Sequence, residues 1–220
     1  MYSTIVYDLD GTLIDSAITV TALLNELRAE HGLSQLTIND YRPWLSIGGK
    51  AMLAAALNMS ETKASSLLPL FRTRYLNLPT DPSTVYSDAH PTLSALRSAG
   101  IRLGLCTNKP RALTEKILAE TSLGDFFEFV CAGQDLPTSK PHPENLNICL
   151  RALHSAPGNA LVIGDSRIDQ QLAKNCGSDF AFFSGGYDDG VQIDANMMTI
   201  HHHPEIFNLF PSLEKGLHRE

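Results

Sequence analysis

Short apolar runs with a period of two and longer stretches with a period near 3.6 divide this chain into strands and helices. The first run, Ile5-Val6-Tyr7, is rich in β-branched residues and stops at Asp8-Leu9-Asp10-Gly11-Thr12-Leu13. That pattern predicts a buried strand delivering charge to its own carboxyl end. Val20, Leu23, Leu24 and Leu27 then fall at i, i+3, i+4 and i+7, the stripe of an amphipathic helix closed by His31-Gly32. Asp15 or Ser16 is its expected N-cap. A second helix starts near Thr37, whose Thr-x-x-Asp to Asp40 resembles a capping box. Ile47-Gly48-Gly49-Lys50 predicts a turn before an Ala-rich helix over 51–57. A further helix follows Ser60, interrupted or kinked at Pro69, with Leu68, Phe71 and Tyr75 on one face.

Residues from about 16 to 80 therefore read as helical, and Pro79-Thr80-Asp81-Pro82-Ser83 is the clearest linker signal in the chain. Beyond it the pattern alternates. A helix over 92–99, stopped by Gly100, precedes a strand over 101–106, a helix over 110–120 and a strand over 129–132. A helix over 145–154, a strand over 161–164, a helix over 169–175 and a strand over 180–183 follow, with a last edge strand over 195–200. Such alternation predicts a parallel sheet. The expected architecture is α/β: a doubly wound, Rossmann-like parallel-sheet core from residues 1–15 and 83–220, with a small inserted α-helical cap domain over 16–82. No internal repeat or low-complexity tract interrupts it.

Composition narrows the function classes. A chain of 220 residues with 43% hydrophobic and 19% charged residues is long enough for a large core, and its net charge of −7 argues against a broad nucleic-acid surface and against an anionic membrane surface. Cys106, Cys131, Cys149 and Cys176 are far apart in sequence with no Cys-x-x-Cys pair, which disfavours a zinc knuckle or redox dithiol and favours buried free thiols. No basic and apolar leader precedes the first strand, and no apolar run approaches the length of a membrane span. The expectation is a soluble cytoplasmic protein, a monomer or weak dimer.

The candidate chemistry lies where strands end. Asp8 and Asp10 leave an extended chain on the same face. An aspartate capping the next turn accounts for one of them, not both. Two carboxylates about 4 Å apart repel by roughly 4 kcal/mol at an effective dielectric near 20, so the pair needs a cation or a shared proton. Thr107-Asn108-Lys109 offers a hydroxyl and backbone N–H groups for an anion, or an ordinary helix cap. In Gly164-Asp165-Ser166-Arg167-Ile168-Asp169, Asp165 is placed as a metal ligand, with Asp169 one helical turn later. Lys140 sits in a loop stiffened by prolines on both sides of His142, a suitable mount for a charge with a fixed partner such as phosphate.

Together the stretches Asp8-Leu9-Asp10-Gly11-Thr12-Leu13, Cys106-Thr107-Asn108-Lys109, Lys140-Pro141-His142-Pro143 and Gly164 to Asp169 resemble the haloacid dehalogenase superfamily of phosphohydrolases, in order and spacing. The helical insert is similar to the cap of its phosphoglycolate phosphatase and β-phosphoglucomutase branch. The resemblance implies a Mg²⁺-dependent phosphatase acting on a small phosphorylated metabolite, either phosphoglycolate-like or a sugar phosphate. It implies that Asp8 is the nucleophile forming an aspartyl-phosphate and Asp10 the acid and later base. Thr107, Asn108 and Lys140 would hold the phosphoryl group. Mg²⁺ would be held by Asp8, the backbone carbonyl of Asp10, and Asp165, with Asp169 assisting. Asp10 sets dehalogenation aside, because the dehalogenases lack it.

Two alternatives stay open. A phosphomutase would use the same intermediate, and a non-catalytic phospho-acceptor signalling domain would also carry strand-end aspartates, a Thr and a Lys. The second ranks lower, because such domains carry the acceptor on a middle strand. Weaker signals are Lys50, Arg72 and Arg74, which could meet a substrate anion when the cap closes or could be solvated helix faces. His142 could touch substrate or cap its loop. His201-His202-His203 read as a polar loop after the last strand rather than a metal site.

Overall fold

The computed structural model describes residues 2–45 and 48–209; Ile47 of the expected turn lies outside the described residues. The chain begins with β1 (Thr4–Tyr7), followed by four helices: α1 (Ala17–Glu30), α2 (Ile38–Leu45), α3 (Gly49–Ala56) and α4 (Glu61–Asn77). It then alternates through α5 (Ala89–Ser98), β2 (Arg102–Pro110), α6 (Arg111–Glu120), β3 (Phe129–Gly133), α7 (Glu144–Ala152), β4 (Ala160–Gly164), α8 (Arg167–Cys176), β5 (Asp179–Phe183) and β6 (Met198–Ile200). All six strands are parallel, in the order β3-β2-β1-β4-β5-β6. β1 lies in the middle because it is paired by β2 on one side and β4 on the other, with Tyr7 opposite both Leu105 and Ile163.

The strand period of two sorts side chains between two cores. Ile5, Tyr7, Leu103, Leu105, Leu161 and Ile163 face the cluster that contains Leu93 and Leu96 of α5 and Leu113 and Ile117 of α6. Val6, Cys106 and Val162 face the other, with Leu146 and Leu150 of α7 and Leu172 of α8. Helices on both faces make the sheet doubly wound, as the alternating pattern predicts. No helix among the described residues is long and apolar enough to cross a membrane.

Local departures from the expected elements have physical reasons. Pro69 lies inside α4 without interrupting it. It and Ser65, the residue whose carbonyl loses its donor to the ring, are both solvent-exposed, so water can satisfy the freed oxygen while Phe71 and Tyr75 bury the opposite side. At α1 it is Asp15 that accepts from a helix N–H, that of Ala17 at 3.0 Å, and Ser16 makes no cap bond. Asp40 closes half of its box by accepting from Thr37 N at 2.8 Å. β2 runs past Cys106 to Pro110, with a register irregularity against β3, so Thr107, Asn108 and Lys109 belong to the strand rather than to the start of the next helix. His203 turns inward, fully buried, and its ring stacks on Phe183 at 4.6 Å. His201 and His202 stay exposed, so the three point apart.

Candidate active site

In an open parallel sheet the crevice lies beyond the carboxyl ends of the strands, where the winding reverses direction. Here that point falls between β1 and β4, and the residues just past them are Asp8 and Asp165. The N–H of Asp8 still bonds Ile163 O at 2.9 Å, which continues the β1–β4 pairing one residue into the site. The chain then folds back tightly, Leu13 N donating to Leu9 O at 2.9 Å and Gly11 N to Ile14 O at 2.8 Å. Gly11 has φ +79°, and a side chain there would overlap the Asp165 carboxylate. A side chain at Gly164 would likewise overlap Asp169.

Carboxylate oxygens of Asp8, Asp165 and Asp169 converge within 4.8 Å of one another. Lys140 Nζ lies 2.7 Å from Asp8 Oδ1 and 2.7 Å from Asp169 Oδ1, with its side chain only 3% exposed. Asp165 accepts from Thr12 Oγ1 at 3.0 Å and Tyr187 N at 2.8 Å, and Asp169 accepts from Ser166 Oγ at 2.5 Å. One ammonium against three carboxylates leaves the cluster short of positive charge. Burial accordingly pushes Asp8 up to about 7, and burial with the neighbouring Asp169 and Asp8 raises Asp165 well above the ordinary carboxylate range. Burial alone would pull the Lys140 ammonium down, but Asp169 and Asp8 outweigh it and hold the group above its usual value. Hard oxygen donors within reach of a single ion and lacking compensation fit a small divalent cation such as Mg²⁺.

The carboxylate of Asp10 has a different set of neighbours. Ser16 Oγ donates to Asp10 Oδ1 at 2.6 Å, and Lys109 Nζ lies 2.9 and 3.2 Å from its two oxygens. Lys109 also reaches Tyr75 OH of α4 at 3.2 Å, and its ammonium stands 4.5 Å from the centre of that ring. Burial opposes the charge on Lys109, yet Asp10 and Tyr75 outweigh it and raise its pKa. Tyr187 OH meets Ser16 at 3.2 Å and Asp15 at 3.3 Å. The sequence motifs assign Ser16, Tyr75, Lys109 and Tyr187 no part in this network. Lys109 alone carried a signal, as the third residue of the strand-end triplet.

The remaining expected residues are also located. Thr107 is buried and its hydroxyl accepts from Lys109 N at 3.2 Å, a turn inside the end of β2. Asn108 lines the cavity, but its amide clamps the backbone of Lys140, accepting from Lys140 N at 2.8 Å and donating to Lys140 O at 3.2 Å. His142 Nδ1 accepts from Glu144 N at 3.2 Å, a local loop bond. Behind the sheet, the distant cysteines do meet: sulfurs of Cys106, Cys131 and Cys149 lie within 4.8 Å of one another, all buried and free. Cys106 and Cys149 donate to Asn145 O at 3.6 and 3.4 Å, a packed thiol cluster in the α7 core.

A cavity of about 470 Å³ opens over these strand ends, within the range of small-molecule sites. Its floor includes Asp8, Asp10 and Asp165, and its roof comes from α1 to α4, including Val20, Leu45, Met52, Phe71 and Tyr75. A doubly wound sheet with an acidic, lysine-bridged site at its switch point and a helical roof defines an α/β enzyme of small, charged substrates. Residues 5–183 match the haloacid dehalogenase-like hydrolases, and the chain belongs to that family. It is 31% identical over 203 residues to a phosphoglycolate phosphatase of Pseudomonas putida, covering 89% of this chain and 74% of that one. With a phosphoglycolate phosphatase of Rhodobacter capsulatus it shares 33% over 193 residues, 85% of this chain and 86% of the other. The fold is shared with a haloacid dehalogenase-like hydrolase from Streptococcus pneumoniae at a TM-score of 0.81 and 20% identity, covering 95% and 98% of the two chains. A predicted phosphoglycolate phosphatase from Haemophilus somnus gives 0.82 and 23%, covering 95% and 98%. The protein is a phosphatase of this family.

Proposed function

We infer that this phosphatase is Mg²⁺-dependent and hydrolyses a small phosphorylated metabolite, phosphoglycolate-like or a sugar phosphate, through an aspartyl-phosphate on Asp8. The observation that carries the reading is the convergence of Asp8, Asp165 and Asp169 around Lys140 at the end of β1 and β4. A carboxylate is a weak nucleophile, but one held rigidly beside bound phosphate needs little reorganisation to attack. Asp8 would form the new O–P bond as the bond to the leaving alkoxide breaks, and Asp10 would give that alkoxide its proton. Asp10 would then take a proton from water as the water oxygen attacks phosphorus and the Asp8 O–P bond breaks. Together the two steps leave Asp8 and Asp10 as they began.

Mg²⁺ held by Asp8, the Asp10 carbonyl and Asp165, with Asp169 assisting, would supply charge neutralisation for phosphate in a site otherwise too negative to admit it. Lys140 would hold the phosphoryl oxygens and balance Asp8, and Thr107 would add its hydroxyl. Asn108 would act chiefly by fixing Lys140. The roof of α1 to α4, residues 16–82, is read as a cap over the core formed by 1–15 and 83–220. It would exclude water when closed. Free buried thiols suit a reducing, cytoplasmic compartment, and the protein is read there as a monomer or weak dimer.

The test is phosphate release from a panel of phosphorylated metabolites with Mg²⁺ or with EDTA, for the wild type and Asp8→Asn. Metal-dependent release that Asp8→Asn abolishes is expected. Isomerisation of a sugar phosphate without net release would replace this reading with the phosphomutase one.

A further inference from the structure

Three cations of the helical roof, Lys50, Arg72 and Arg74, compete in the sequence for a role against a substrate anion, and the structure separates them. Lys50 pairs with Glu61 at 3.1 Å and Arg74 with Glu30 at 2.7 Å, both on the outside. Arg72 lines the cavity, and its guanidinium makes no ion pair or hydrogen bond among the described residues. The other two cations of the cavity wall are already engaged, Lys109 by Asp10 and Lys140 by Asp8 and Asp169.

The place of Arg72 in α4 is what makes it informative. Leu68, Phe71, Arg72 and Tyr75 stand at i, i+3, i+4 and i+7, and all four line the cavity. This is the stripe that an amphipathic helix normally fills with apolar side chains. A guanidinium in it is partly desolvated, and burial pulls its pKa down. Desolvating a cation without a partner is unfavourable, and a bound anion removes the penalty. The distance to the chemistry is short. Tyr75 OH is 3.2 Å from Lys109 Nζ, which is 2.9 Å from Asp10. Arg72 precedes Tyr75 by three residues, about 4.5 Å along the helix axis at 1.5 Å per residue.

We propose that Arg72 determines specificity by binding a carboxylate at the far end of a short phosphomonoester, opposite the phosphoryl group. A planar guanidinium matches a carboxylate with two parallel N–H···O bonds. A single guanidinium matches a monoanion, whereas a second phosphate dianion would call for further donors. The inference rests on the phosphatase reading of the strand-end site.

The experiment compares 2-phosphoglycolate with 2-hydroxyethyl phosphate, which has the same carbon body and a neutral end, for the wild type, Arg72→Gln and Arg72→Lys. Binding of both compounds is also measured by calorimetry in the Asp8→Asn background, with and without Arg72→Gln. The ratio of kcat/KM, carboxylated over neutral, is expected to fall by about 10- to 100-fold in Arg72→Gln, through KM, with Arg72→Lys keeping part of it. A ratio that stays within about twofold overturns the proposal. So does a wild type that prefers the neutral ester. If turnover is absent but calorimetry shows an Arg72-dependent preference for the carboxylate, the phosphatase reading fails and this inference stands. Turnover with no dependence on Arg72 gives the reverse.

Discussion

Gly11 shows how little room the site leaves at the scale of single residues. Its φ of +79° and the Asp165 carboxylate beside it both exclude a side chain. Gly11→Ala is expected to displace Asp165 and raise the Mg²⁺ concentration needed for half-maximal phosphate release by about tenfold or more, as loss of support around a metal ligand does. Lys109→Met removes the cation 2.9 Å from Asp10 while keeping the volume. Loss of about 10- to 100-fold in kcat/KM is expected, with an unchanged circular dichroism spectrum. A variant as active as the wild type would show that Lys109 has no part in the reaction. Asp8, Asp10, Asp165, Asp169 and Lys140 were legible because strand-end and loop patterns carry them. Their neighbours Ser16, Tyr75 and Tyr187 were not, because what recruits them is tertiary. Tyr75 sits on a helix 34 residues from Lys109, and reads in sequence as one more apolar-stripe residue.

At the scale of elements, sequence punctuation predicted where helices and strands stand better than where they stop. Pro69 signals a break, and exposure of the freed carbonyl let α4 continue. The end of β2 reads as a helix cap at Thr107, and pairing with β3 carries the strand on to Pro110. The three cysteines that meet behind the sheet come from β2, β3 and α7, so no spacing rule reveals them. Within the roof, Arg28 of α1 is buried, donating from Nε to Ser34 O at 2.6 Å and from Nη1 to Ala56 O at the end of α3. Arg28→Met strands these two carbonyls without donors and is expected to destabilise the protein by about 1–3 kcal/mol. Urea denaturation gives the loss, and hydrogen exchange should show it concentrated in residues 17–77. An unchanged midpoint would mean that water replaces the guanidinium.

For the whole molecule, the order β3-β2-β1-β4-β5-β6 puts the first strand at the centre, so the opening residues of the chain arrive at the switch point flanked by later ones. The alternating pattern predicted a parallel sheet with a helical insertion, but pairing order was beyond it. Global stability carries a pH signature from the segment after β6. His203 is fully buried against Phe183, Tyr7 and Tyr86; Asp88 and His202 are the other titratable groups bearing on it. Burial holds its folded pKa below 6.5, although Asp88 partly opposes this. The unfolded chain then binds the extra proton first, so His203's contribution is present above about pH 6.5 and is lost as pH falls through the lower folded value. Comparison of His203→Phe with the wild type across pH 7.5 to 5 by chemical denaturation should show the wild type losing more stability toward acid. Parallel curves would contradict this.

Asp8 is proposed to carry the phosphoryl group during turnover. The direct measurement is acid quench of the Mg²⁺-loaded wild-type enzyme turning over 2-phosphoglycolate or the best substrate of the panel, followed by peptide mapping by mass spectrometry. One phosphoryl group is expected on the peptide containing Asp8, labile to hydroxylamine, and none in Asp8→Asn. Steady turnover with no phosphoryl-enzyme at any quench time, or with the group on another residue, would contradict it.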